Sequence, residues 1–205
     1  MCRAWKLAAA VVALVGLSGC GVPMIYSGST PETVASDDGL LGEWRATEPV
    51  EIRATVFPGS DSSESPAGSY AVSLTVYDRH EFKTALGLEL LVTDVAGVRF
   101  ADLFLGKIER DRLVGTHGYL AIPVHQVMRM SRQGDVLTVW PLVGKFPDDH
   151  TPGRPVAHEA AVVGGSRVPL VTGSSESIRG MLGEIAKDDS SFDKPIVLRR
   201  VRTGP

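Results

Sequence analysis

The chain has 205 residues, 43% hydrophobic and 22% charged, which is enough for one domain and short for two. Its 21 basic and 24 acidic side chains give a net charge of −3. That balance argues against a nucleic-acid partner, which needs a basic field to displace counterions. The two cysteines, Cys2 and Cys20, both stand in the leader region, which excludes a disulfide-stapled domain or a cysteine-rich metal site.

The N-terminus reads as an export signal. Arg3 and Lys6 supply positive charge, and Leu7 to Leu17 form an apolar run of eleven residues. Leu17-Ser18-Gly19-Cys20 follows. These four residues resemble the lipobox of bacterial lipoproteins. The resemblance implies cleavage between Gly19 and Cys20, with the Cys20 thiol and the new amino terminus acylated. Each buried acyl methylene contributes about 0.8 kcal/mol, so two or more chains give lasting attachment to a bilayer. The competing reading is an uncleaved anchor helix over Leu7 to Tyr26, but Gly16, Gly19, Gly21 and Pro23 interrupt it. Gly21 replaces the Asp that favours inner-membrane retention in enterobacterial lipoproteins. The expected location is therefore the cell envelope, on the outer membrane facing the periplasm. Removing residues 1–19 takes two basic residues and no acid, so the net charge falls from −3 to −5.

The mature chain divides into residues 20–38, the lipidated cysteine and a flexible tether, and residues 39–205, a single β-rich domain. Residues 21–38 are small, polar and proline-punctuated. As a free chain they span about 24 Å root-mean-square. Gly42-Glu43-Trp44 opens the first strand. Ile52, Ala54 and Val56 alternate with Arg53 and Thr55, the period of a half-buried strand. Residues 58–68 form a Ser-rich loop. Tyr70, Val72, Leu74 and Val76 then alternate on one face, and Phe82, Leu86, Leu88 and Leu90 on another. Val98 to Leu105 is apolar at nearly every position, as a strand covered on both sides requires. Val127 to Leu142 is a hairpin turning at residues 132–135. Prolines and glycines break residues 143–170, where Ala160 to Val163 and Val168 to Val171 are short strand candidates. Ile178, Met181, Leu182 and Ile185 repeat at helical spacing, with Ser174 or Ser175 as the cap. Gly180 and Gly183 weaken this helix, so it needs a sheet to lie on. Pro195 to Arg202 ends the chain as a strand. The expected fold is mainly β: an antiparallel barrel or half-barrel with one C-terminal helix packed on it.

Gly42-Glu43-Trp44 is similar to the GxW opening of lipocalins. The resemblance implies that Trp44 plugs the closed end of a barrel and that an Arg from the end of the barrel lies across it, with Arg199, Arg200 and Arg202 available. Thr93-Asp94 is similar to the family's TDY turn, with Val95 in place of the aromatic. The helix departs from the family pattern, because it precedes the last strand. Gly42 and Trp44 are thus structural residues.

No catalytic set, metal site or cofactor is expected. Asp148, Asp149, His150, His158 and Glu159 carry ligand-type groups without the spacing that makes them converge. His117 and His125 read as neutral histidines bonded to the backbone. Ser174 and its neighbours lack the second Gly of a nucleophile elbow. Lys107 lies in no phosphate-binding loop. The primary expectation is a non-enzymatic, membrane-anchored envelope lipoprotein that binds a protein partner or has a structural role. The alternative is a lipocalin-like carrier of a small apolar ligand. A third reading, a hydrolase using His125 or His117 with Asp102 as orienter, requires those side chains to meet in a cleft.

Overall fold

A computed structural model describes residues 22–30, 32–48, 50–59, 67–78, 81–106, 111, 124–143, 158–163 and 166–202. Residues Gly19 and Cys20 lie outside them, with the rest of residues 1–21. Among the described residues there are eleven strands: β1 Pro23–Met24, β2 Gly42–Ala46, β3 Glu51–Pro58, β4 Tyr70–Asp78, β5 Glu81–Val95, β6 Val98–Leu105, β7 His125–Gln133, β8 Val136–Pro141, β9 His158–Val163, β10 Ser166–Val171 and β11 Ile196–Arg200. One α-helix, α1, spans Ser175–Ile185.

Eight of the strands close on themselves. Each neighbouring pair in the order β2-β3-β4-β5-β6-β7-β8-β11 is antiparallel, and β11 returns to pair with β2. Closure removes the open edges that would otherwise template aggregation. The expected barrel is therefore a closed one. The period-2 patterns decide which residues enter it. Ile52, Ala54 and Val56 of β3 pair with Val76, Leu74 and Val72 of β4, and Leu86, Leu88 and Leu90 of β5 continue the same inner layer. Phe82 does not. A register shift at Val76/Tyr77 displaces it from that row, and it stands 62% exposed, edge-on to the Tyr77 ring.

The outer face of β5, β6 and β7 carries a second core. Val95, Phe100 and Val127 project outward there against Ile178, Met181, Leu182 and Ile185 of α1. This explains why β6 carries apolar residues on both faces: Ala101 and Leu103 face the barrel interior, while Phe100 faces the helix. The Ser174 hydroxyl caps α1, accepting from the Ser177 amide.

The structure corrects the reading of residues 21–38 as a free tether. Val22 and Met24 are fully buried in the second core. β1 pairs antiparallel with β7 at His125 and Gln126, continuing the edge that β8 leaves at Met128. Its other side pairs parallel with β10, which forms a hairpin with β9. Further on, Val34 bridges Thr93 of β5. Proline punctuation marks a segment that cannot join a regular ladder over any length. It does not prevent a short strap from covering an apolar wall, and here the wall supplies the burial.

Candidate ligand-binding site

Both ends of the barrel follow from local chemistry. At one end a short 3-10 turn, Asp38–Leu40, folds across the opening and places Leu40 inside. Trp44, 1% exposed, donates from its indole Nε1 to the Leu40 carbonyl at 2.7 Å. Arg200, from the end of β11, lies over the Trp44 ring at 4.4 Å. Its guanidinium also donates to the carbonyls of Gly39 and Leu41. So of the three candidate arginines, Arg200 covers the tryptophan, while Arg202 pairs with Asp135 at 2.6 Å. Gly42 is needed for two reasons. Its φ is 111°, and a Cβ there would stand 2.9 Å from the Arg200 guanidinium.

A second clamp ties the same end shut. The Asp37 side chain, 7% exposed, receives Arg99 at 2.8 Å and Arg132 at 2.9 Å. Burial works to raise its pKa. The hydrogen bond and charge of Arg132, the Gly39 amide and the charge of Arg99 outweigh burial, and the carboxyl is held below the usual range. Asp37 also donates its backbone amide to the Tyr70 hydroxyl at 2.6 Å. The sequence offers no cue for this cluster, because its members come from four separate elements.

The interior behind Trp44 is not filled. A void of about 140 Å³ is continuous with about 990 Å³ of unfilled space that includes the open end. Among the described residues 18 side chains line it, and 17 of them are apolar, from Leu40 at the closed end to Ile196 near the other. Val72, Leu74 and Leu88, expected on the inward face, do line this space. Ala54, Leu74, Leu103, Met128 and Ile196 keep partial exposure although they face inward, so a water-sized body reaches them. Gln126 is the exception in the wall. Its carboxamide Nε2 is buried and has no hydrogen-bond partner. Sequence reading missed Gln126. The available signal is its place two and four residues before Met128 and Met130, in a strand with apolar residues on both faces.

The histidine expectation is also corrected. His125 bonds not to the backbone but to Asp102, its Nδ1 lying 2.9 and 3.0 Å from the two carboxylate oxygens. Asp102 is 2% exposed, and it also accepts from the Ser27 hydroxyl at 2.5 Å. The His125 ring stacks against Phe104 at 4.8 Å between centroids. An acid–histidine pair of this kind orients a catalytic base only when a nucleophile meets the other ring nitrogen. Among the described residues the nearest hydroxyl, Ser27, is on the carboxylate, the wrong end for that role. The set faces the outside of the barrel wall, under the strap. There it joins the Ser29–Thr93 hydroxyl pair in fastening residues 22–30 to β5, β6 and β7. His80, His117, Lys107, Asp148, Asp149 and His150 lie outside the described residues, as do the side chains of His158 and Glu159.

No protein-family model, curated protein or solved structure matches this chain.

Proposed function

We propose that this protein is a lipid-anchored envelope protein whose barrel carries a small apolar ligand. One observation carries the ligand part: a closed barrel plugged at one end by Leu40 and Trp44, with an unfilled interior walled almost wholly by hydrocarbon. Packed interiors leave few voids larger than a water, so an apolar void of this size marks a binding site. An engineered cavity of about 150 Å³ accommodates benzene, so a void of about 140 Å³ suits a ring or part of a slender chain. The readings that invoke a protein partner or a hydrolase have no comparable site among the described residues.

The support for the anchor is Leu17-Ser18-Gly19-Cys20, and the support for the outer membrane, facing the periplasm, is Gly21 in place of Asp. Among the described residues no helix is long and apolar enough to cross a membrane. Because Val22 is already buried, acylated Cys20 is separated from the packed chain by at most two residues, or about 7 Å of backbone. The barrel then rides against the bilayer surface rather than about 24 Å away. That is the place from which a carrier collects an apolar ligand.

The test of binding is titration of the purified protein with N-phenyl-1-naphthylamine, an uncharged dye that brightens in apolar surroundings. Saturable brightening reversed by excess long-chain alcohol is expected. A linear, unsaturable response would refute the carrier reading. Labelling with radioactive palmitate tests the anchor. The parent chain takes label and Cys20→Ala does not; label in both, or in neither, refutes acylation at Cys20.

A further inference from the structure

The chemistry of the wall narrows the ligand. We infer that the barrel selects an uncharged single-chain lipid: one slender apolar tail ending in a neutral oxygen acceptor, an ester or an alcohol, held by the Gln126 carboxamide. The inference rests on the carrier reading and goes beyond it by assigning a ligand class and a specificity residue.

Three observations lead there. Among the described residues, none of the 18 that line the wall ionises. A fatty carboxylate or an amine carried into this interior would leave its charge without a counter-ion, at a cost far above any gain from its tail. Next, among the described residues the wall holds one polar side chain, Gln126, whose buried Nε2 has no partner there. A buried donor left unmade costs stability, and a ligand acceptor that satisfies it gains affinity and orientation together. The amide torsion is soft, so the NH₂ group turns toward an acceptor without moving the strand. Finally, position sets the polarity of binding. Gln126 is the second residue of β7 and pairs with Leu103, far from the end closed by Leu40 and Trp44. A tail therefore enters first and runs toward Leu40, while its oxygen stops at Gln126. The void of about 140 Å³ takes part of one slender chain.

The test is a matched series of twelve-carbon probes: methyl dodecanoate, dodecanol, dodecane, dodecanoate at pH 8 and dodecylammonium. Each displaces N-phenyl-1-naphthylamine from the purified protein. The ester and the alcohol should bind about tenfold or more tighter than either ion. They should exceed the alkane by roughly fivefold, the share of one hydrogen bond. In Gln126→Met, which keeps the volume and removes the donor, the ester should lose its advantage and bind like the alkane. Equal binding of dodecanoate and its methyl ester to the parent overturns the ligand class while leaving the carrier reading standing. Persistence of the ester preference in a folded Gln126→Met overturns the assignment to Gln126. Failure of the whole series to displace the dye removes the carrier reading itself. The parent-protein arms do not depend on the variant folding.

Discussion

Ala54→Leu should make the protein more stable and stop it binding. Ala54 lies between Trp44 of β2 and Leu74 of β4 and faces the void. Leucine adds three carbons. At about 0.8 kcal/mol per buried methylene the transfer gain is about 2.4 kcal/mol. Fixing the new side chain costs about 0.5–1 kcal/mol. The net gain is about 1.5 kcal/mol, or a rise in melting temperature of roughly 3–6 °C for a chain of this size. The carbons occupy the void that the ligand needs, so dye binding falls together with the rise in stability. The assay pairs thermal melting, followed by circular dichroism, with dye titration of the same sample. In a tightly packed interior the same substitution would lower stability by about 1–3 kcal/mol through overpacking. A variant that melts lower than the parent and still binds the dye would falsify the picture of an open barrel.

Three further outcomes test the surrounding structure. Arg200→Met keeps an apolar cover over Trp44 but removes the ring attraction and the donors to Gly39 and Leu41. It should lower stability by about 2–4 kcal/mol in urea unfolding followed by tryptophan fluorescence, and a loss below about 0.5 kcal/mol would deny the clamp its role. Asp37→Asn tests the acid-sensitive clamp. The native carboxyl titrates below its unfolded value, so its contribution is complete above the unfolded pKa and disappears as pH falls through the native one. The variant should be less stable than the parent by about 1–2 kcal/mol at pH 7, with the gap closing in strong acid; a gap that widens toward low pH has the wrong sign. Met24→Ala separates strap from tether. A fully buried methionine in the second core loses about 2–5 kcal/mol on truncation, whereas a free tether would lose nothing.

The strand periods of β3, β4 and β5, the β7–β8 hairpin and the helix with its Ser174 cap were legible because each is a local pattern, set by neighbours a few residues away. Trp44 and the glycine before it were legible for a related reason. A positive φ two residues before a large aromatic leaves a short motif, and Gly42 supplies that φ. Which arginine covers the ring was not legible, since Arg199, Arg200 and Arg202 differ only by the face each strand position presents, and register fixes that face. The strap was misread because its composition describes the segment while its fate depends on the wall it meets.

Sequence alone therefore determined a β-rich chain with an amphipathic helix near its C-terminus, because hydrophobic period is a property of contiguous residues. Tertiary structure alone decided that the barrel closes, that residues 22–30 pack against its wall, that Asp102 meets His125, and that Gln126 stands, among the described residues, as the lone polar group lining an unfilled apolar interior. Those outcomes depend on volumes and distances between segments far apart in the chain. A void in particular is defined by atoms that fail to meet, and no residue in the sequence records it.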